Sequence, residues 1–216
     1  MVFRDDFDGS RVNEEIWEIG TWSEHGGRLG RERVLVKDGL LNMLLINENN
    51  TIKSSAIQSR QTFLYGKWET RLKVSSVSGV LNSFYTIDWG GGAGTRQEVD
   101  IEFLTFYFGE QTGEVHFAVH AAGFDSFDTN PDLKLDFNPA DDFHVWGLDI
   151  TPEHIEWSVD GKSLLLYNYD EHKVKIDKPY MLKLNTRSQE SWIKGPSEPG
   201  VVSTYLIDWI QFTPYE

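Results

Sequence analysis

Residues 97–103 read Gln97-Glu98-Val99-Asp100-Ile101-Glu102-Phe103, a run in which acidic and apolar side chains alternate. Successive side chains on a β-strand point to opposite faces, so this period of two predicts a strand with three acids on one face. Val99, Ile101 and Phe103 then face a core. Three like charges on one face repel one another and add no stability to a purely structural strand, which makes the acidic face a candidate site.

The same alternation recurs along the rest of the chain. Turn residues such as Lys37-Asp38-Gly39 and Val159-Asp160-Gly161 separate the runs, and no helical period longer than about three turns competes with them. We therefore predict an all-β fold, a two-sheet antiparallel β-sandwich of the jelly-roll kind, with residues 1–216 as a single domain. Besides 98–104, the predicted strands cover residues 33–36, 40–46, 65–74, 80–87, 114–120, 143–150, 154–159, 163–167, 181–187 and 201–212.

The composition excludes several classes of protein. Lys and Arg number 20 against 34 Asp and Glu, and the net charge of −14 repels nucleic acids and anionic membranes. The chain has no cysteine, hence no disulfide, thiolate metal site or cysteine nucleophile. No apolar run approaches eighteen residues, and the first residues lack the pattern of a signal peptide. We expect a soluble protein without nucleic-acid or membrane partners, either cytoplasmic or the mature part of an exported protein.

Two carboxyl groups on one strand face suit the hydrolysis of glycosidic bonds. The retaining reaction needs an ionised carboxylate and a protonated carboxyl about 5 to 5.5 Å apart. Glu98 and Glu102 are separated by four residues at roughly 3.3 Å each, a gap that long side chains leaning inward can narrow. The shorter Asp100 would hydrogen-bond to one of them and separate their pKa values. The alternative is a solvated polar face without chemistry, although such faces usually mix Lys, Thr and Ser.

The acidic strand also resembles the E-[IV]-D-[IF]-E-F-L signature of glycoside hydrolase family 16, in the form without a bulge that lichenases and xyloglucan endotransglycosylases carry. Similar blocks cover residues 65–73 (Y-G-x-x-E-x-R-x-K), 143–149 with 155–161 (F-H-x-[YW]-x-x-[DE] and I-x-[WF]-x-V-D-G), and 203–210 (Y-x-[YI]-D-W-[VI]). The resemblance implies a concanavalin A-like jelly roll with a concave cleft and a retaining endo-β-glycanase without a catalytic cofactor. It implies that Glu98 is the nucleophile, Glu102 the acid/base and Asp100 their helper.

Strand parity and nearby loops predict which side chains surround the acids. Flat indole rings suit the C–H faces of sugars, and histidines can relay protons or bind hydroxyl groups. The alternatives are core positions for the indoles and carbonyl-bonded positions for the histidines, whose H-x-x-x-H spacing of about 13 Å is too wide for zinc. The predicted cleft residues are Trp22, Tyr85, Trp89, Arg96, His116, His120, Lys183, Asn185, Arg187 and Trp192. The tryptophans assigned to the core are Trp146, Trp157 and Trp209.

Three departures from the lichenase pattern leave the substrate open. The chain has Arg96-Gln97 in place of Trp-Asp, Lys183-Leu184-Asn185 in place of Asn-x-Trp, and Ala56-Ile57-Gln58 in place of Glu-x-Arg. Relative to the lichenase pattern the chain has three additional cations, Arg96, Lys183 and Arg187. They either bind sulfate or carboxylate groups of a substrate or pair with acids of the protein itself. The candidate acids are Glu98, Asp100 and Glu190. The substrate is then a β-1,3/1,4-glucan or an anionic galactan, with transglycosylation and lectin-like binding as further alternatives.

The resemblance also implies a structural calcium ion on the convex side of the sandwich. Its ligands would be main-chain carbonyl oxygens at Asp6, Gly39 and Asp208, and such oxygens suit a hard cation. The two aspartates could equally serve in turns and caps. We expect a monomer that acts on a polysaccharide and is secreted or periplasmic, with its leader removed.

Overall fold

Two β-sheets packed face to face form the fold in the computed structural model, which describes residues 2–90, 96–121, 126–129, 132–172, 174–188 and 191–215. The first, here called the outer sheet, consists of β1 (Phe3–Asp5), β3 (Ser23–Glu24), β4 (Gly27–Leu29), β5 (Val34–Lys37), β6 (Leu40–Glu48), β7 (Thr51–Ser54), β9 (Gly66–Lys73), β15 (His144–Ile150), β16 (His154–Val159), β17 (Lys162–Asn168) and β19 (Val202–Pro214). The second, here called the cleft sheet, consists of β2 (Trp17–Ile19), β8 (Ala56–Ser59), β10 (Leu81–Asp88), β11 (Gln97–Leu104), β12 (Gly113–Ala121), β13 (Phe127–Asp128), β14 (Leu133–Leu135) and β18 (Met181–Arg187).

The order of the strands places the acidic strand in the middle of the cleft sheet. That order is β13-β12-β11-β10-β18-β8-β2, with β14 also paired to β12. The outer sheet runs β17-β16-β15-β9-β19-β6-β7-β4-β3, with β1 on β19 and β5 on β6. Among the described strands only β4 and β7 pair in parallel. The predicted all-β sandwich of two essentially antiparallel sheets is confirmed.

Helices contribute little to the described ranges. Those present are three short 3₁₀ segments, Arg31–Arg33, Thr105–Tyr107 and Ser191–Ile193. None within these ranges has the length and apolar character needed to cross a membrane.

Aromatic side chains fill the space between the sheets. Phe103 of β11 meets Trp146 of β15 edge to face, with ring centroids 4.6 Å apart. Trp157 of β16 stacks on Phe117 of β12 at 5.2 Å. All four side chains are fully buried, so the aromatic contacts fix the acidic strand and its neighbour onto the outer sheet.

Trp209 does not lie in this core, contrary to our prediction. The register between β19 and β9 shifts between Ile207 and Trp209, which marks a bulge at Asp208. Because an extra residue in one strand changes the alternation beyond it, the indole lies at the surface, where the guanidinium of Arg4 packs 4.6 Å from its ring centroid.

Candidate active site

The three acids of β11 line a cleft of about 560 Å³ on the face of the cleft sheet that is turned away from the core. Val99 and Ile101 point the other way and are fully buried between the sheets, as the period of two predicted. Asp100 retains 5% of its exposure and Glu102 9%. The acids are therefore recessed, and the alternative of a solvated polar face does not describe them.

Backbone register decides which side chains surround each acid. β10 and β12 flank β11, and β18 follows β10, so side chains of equal parity on these strands share one face. The facing pairs are Glu98 with His120, Asp100 with Tyr85, Glu102 with Ser83 and His116, Lys183 with Tyr85, and Asn185 with Ser83.

Glu98 lies at the outer end of the acidic row. Burial, followed by the charge of Asp100, raises the pKa of Glu98 to about 7, although Arg96 and His120 act in the opposite direction. The Nε atom of Arg96 lies 3.2 Å from a Glu98 carboxylate oxygen. Glu98 therefore gains or loses its proton near neutral pH. A carboxyl group that titrates in this range can serve as a nucleophile or as a proton donor.

Asp100 is the most enclosed acid of the three. Burial, and next the charge of Glu102, raise the pKa of Asp100 well above its ordinary value. His120 Nε2 lies 3.3 Å from an Asp100 carboxylate oxygen, and the indole N–H of Trp157 donates to the Asp100 carbonyl at 3.1 Å. A protonated Asp100 reduces the repulsion along the strand and can donate a hydrogen bond to a neighbouring carboxylate.

Glu102 has a different environment, because Arg187 binds its carboxylate directly. The same guanidinium contacts the ring of His25 at 3.1 Å and lies 5.8 Å from the ring centroid of Trp192. A guanidinium on a carboxylate stabilises the ionised form.

Both predicted histidines line the cleft and are held by side chains rather than by carbonyl groups. His116 Nδ1 lies 2.7 Å from Asp132 Oδ1, and His120 Nδ1 lies 2.7 Å from Ser126 Oγ. These partners orient the Nε2 atoms, and that of His120 reaches Asp100.

The predicted aromatic residues divide into two kinds. Trp89 and Trp192 line the cleft with 48% and 41% exposure, so their rings are available to a sugar. Tyr85 also lines the cleft but is 6% exposed. Trp22 is half-buried and does not line the cleft, but its indole N–H donates to the lining residue Glu24 at 2.9 Å.

Three cleft residues, Glu24, His25 and Ser83, are absent from our prediction. Strand parity could have found Ser83, which lies two residues before Tyr85. Glu24 is the last residue of β3 and His25 lies in the turn from β3 to β4, strands of two and three residues. Such strands are too short to show a period, so alternation could not place these residues in the cleft.

The three added cations all pair with acids of the protein. Arg96 pairs with Glu98, Arg187 with Glu102, and Lys183 with Glu24. Burial alone would raise the pKa of Glu24, but the ammonium of Lys183 and hydrogen bonds from neighbouring side chains bring it below its ordinary value. Glu190, also considered as a partner, lies outside the described residues.

The positions predicted to bind calcium have their carboxylates engaged. Arg4 Nε donates to Asp6 at 2.9 Å, and Arg71 binds Asp208, while Gly39 contributes only backbone to the β5–β6 turn. Within the described ranges, no group of three His, Asp or Glu side chains could hold a metal ion. The side chains therefore do not fit calcium, and binding through main-chain oxygens stays a prediction.

Paired carboxyl groups in unequal environments, at the floor of a cleft with exposed indole rings, are the arrangement by which proteins hydrolyse glycosidic bonds. The class of protein defined by this fold and site is a glycoside hydrolase.

Comparison with known proteins gives the family. The sequence model of Glycosyl hydrolases family 16 matches residues 21–211, and the chain belongs to this family. A beta-glucanase from Paenibacillus polymyxa is 30% identical over 182 residues, which cover 82% of this chain and 71% of the relative.

Solved structures agree on the fold. A β-1,3-1,4-glucanase (lichenase) derived from a mouse hindgut metagenome has a TM-score of 0.79 and 24% identity, with 99% of each chain covered. A family 16 protein of the Bacteroides ovatus mixed linkage glucan PUL, solved with a G4G4G3G product, has a TM-score of 0.81 and 18% identity, with 98% of this chain and 99% of that chain covered.

Proposed function

We propose that this glycoside hydrolase is a retaining endo-β-glycanase that cleaves internal bonds of a β-1,3/1,4-glucan. The observation that carries the proposal is the unbulged strand with Glu98, Asp100 and Glu102 at the floor of the cleft, in three different electrostatic environments. The beta-glucanase of Paenibacillus polymyxa supports the substrate class. The complex of the Bacteroides ovatus protein with a glucan product supports a polysaccharide partner.

In the proposed reaction the ionised carboxylate of Glu98 attacks the anomeric carbon, and the glycosidic bond breaks. The Glu102 carboxyl gives its proton to the leaving oxygen, which departs as a free sugar hydroxyl. Glu102 then takes a proton from water, whose oxygen displaces Glu98 from the sugar and restores both carboxyl groups. The two displacements retain the configuration at the anomeric carbon.

The neighbouring groups support these roles. Arg187 contacts Glu102 and stabilises the carboxylate that forms when the proton leaves. Burial raises the pKa of Asp100 well above its ordinary value, and in its protonated form Asp100 can donate a hydrogen bond to the Glu98 carboxylate. Trp89 and Trp192 provide exposed ring faces for the glucan in the same cleft as the acids.

A polymeric substrate also bears on where the protein acts. Polysaccharides do not cross membranes unaided, so we propose that the protein works outside the cytoplasm, secreted or periplasmic. We further propose that it acts as a monomer, since one chain supplies all three acids and the cleft around them.

The function is tested with Glu98→Ala and the matched surface variant Glu69→Ala, whose side chain lies on the outer sheet beside Lys67. Removing the nucleophile should lower kcat on mixed-linkage glucan by several orders of magnitude, whereas Glu69→Ala should keep the wild-type rate. Added azide should partly restore turnover in Glu98→Ala and give a product of inverted configuration. Measurable retaining hydrolysis by Glu98→Ala without azide contradicts the assignment. Mass spectrometry of the products separates hydrolysis from transglycosylation.

A further inference from the structure

The most deeply buried charge in the described cleft is the ammonium of Lys183. This residue lines the cleft and is only 1% exposed. Its Nζ atom pairs with Glu24 and lies 5.3 Å from the ring centroid of Trp22, 5.7 Å from Tyr85 and 5.8 Å from Trp89. Three aromatic rings and one carboxylate thus surround the cation.

Both carboxylate oxygens of Glu24, the partner of Lys183, accept hydrogen bonds. One carboxylate oxygen accepts hydrogen bonds from Lys183 and from the indole of Trp22, and the other accepts one from Asn185. Asn185 in turn accepts a hydrogen bond from Ser83 at 2.6 Å. Both oxygens of Glu24 are thus engaged within the protein, which leaves this carboxylate little hydrogen-bonding capacity for a ligand.

The pair also marks the end of the cleft. The cleft sheet continues beyond β18 to β8 and β2, where Gln58 stands opposite Lys183 and Glu18 stands opposite Gln58. Gln58 and Glu18 bond to each other at 2.7 Å and do not line the cleft, although Lys183 does. The β3–β4 hairpin, which contains Glu24, therefore closes the cleft at β18, while the cleft sheet continues beneath this hairpin.

We propose that Glu24 and Lys183 form a specificity-determining plug that ends the row of sugar subsites at β18, so that the protein recognises only a short stretch of glycan on that side of the acids. The proposal rests on the proposed glucanase function and refines it. The plug acts by occupying space and engaging ring faces, because its charges are already paired with each other.

Both partners must be changed together, since removing one leaves a buried charge without its counterion. Glu24→Gln/Lys183→Met keeps the volume and removes the charges. Glu24→Ser/Lys183→Ser opens the space over β18 and uncovers the rings of Trp22 and Tyr85. Circular dichroism and thermal unfolding confirm that each variant folds. If the serine pair does not fold, Glu24→Gln/Lys183→Ala opens part of the same space.

The measurement is kcat/KM on a series of β-glucan oligosaccharides of increasing length, labelled at the reducing end so that the cleaved bond is known. The wild type and the Gln/Met variant should reach a plateau at the same length, whatever their absolute rates. The serine variant should continue to gain about tenfold for a further sugar unit on the β18 side, as one good added contact gives.

Two results would overturn the proposal. An earlier plateau in the Gln/Met variant would show that the charged groups bind sugar, and an unchanged plateau in a folded serine variant would show that nothing was blocked. The affinity of the same oligosaccharides, measured by calorimetry with each protein, gives a second reading of the length dependence. If the wild type cleaves no glucan, the proposed function fails, while the affinities still decide whether the plug limits the recognised length.

Discussion

Glu98, Asp100 and Glu102 share one strand face but differ in their surroundings. Burial raises the pKa of Asp100 well above its ordinary value, Arg187 binds the Glu102 carboxylate, and burial raises the pKa of Glu98 while the cation of Arg96 lowers it. The sequence predicted the shared face, because the period of two is local. It could not predict the cations, because Glu102 and Arg187 are 85 residues apart and no local pattern links them.

The pKa of Glu98 gives a prediction for the pH dependence of activity. A nucleophile must be ionised, so kcat/KM should rise with pH through about 7, where Glu98 loses its proton. The measurement is kcat/KM on mixed-linkage glucan between about pH 5 and 9. If kcat/KM does not rise between about pH 5 and 7, ionised Glu98 is not the nucleophile that the proposed reaction requires.

The same shift predicts how stability depends on pH. Unfolded Glu98 loses its proton near 4.5 and folded Glu98 near 7, so between these values unfolding releases a proton and stability falls as pH rises. The pKa shift of Glu98 corresponds to at most about 3 kcal/mol in the free energy of unfolding. Glu98→Gln should therefore raise Tm relative to the wild type at pH 8, with little effect at pH 4.5. An equal change in Tm at both pH values would mean that ionisation of Glu98 does not destabilise the fold.

Among the strands, length decided what could be predicted. β11, β9 and β15 have seven or eight residues, and their alternation located them to within two residues. β2, β3 and β4 have two or three residues and show no period. β3 and β4 form the hairpin that contains Glu24. The part of the site on strands was therefore predictable, whereas its closure by a turn was not.

A contact between the two sheets also holds the acidic strand in place. Trp157 comes from the outer sheet, and its indole N–H bonds to the carbonyl of Asp100. Trp157→Phe should destabilise the fold by about 2 to 4 kcal/mol through lost volume and the lost indole hydrogen bond, and should lower kcat because the acidic strand loses a positioning contact. Urea unfolding and steady-state kinetics measure the two effects.

Trp68→Phe is the matched control for this variant. Trp68 is also fully buried in the outer sheet, but it packs against Phe63 and Phe212 rather than beneath β11. It should lose comparable stability and keep the wild-type kcat. An equal loss of kcat in both variants would show that Trp157 contributes only to folding.

Charge is the property that acts on the scale of the whole molecule. The net charge of −14 could be counted from the sequence, and so could the cations near the acids. The pairing of these cations with acids could not be predicted, because Lys183 and Glu24 are 159 residues apart and meet only in the folded sandwich. The cleft cations therefore neutralise the protein's own acids, and the surrounding field opposes an anionic substrate.

This pairing predicts how the substrate's charge affects the rate. A neutral mixed-linkage glucan should be cleaved with a kcat/KM that does not change between low salt and about 0.1 M, where the Debye length is about 10 Å. A sulfated galactan should be cleaved more slowly at low salt, and the difference should shrink as salt screens its repulsion by the net charge of −14. The comparison needs only wild-type protein, both glycans and two salt concentrations. Faster cleavage of the sulfated galactan, weakened by salt, would mean that Arg96, Lys183 and Arg187 leave their acids to bind sulfate, and that the substrate is anionic.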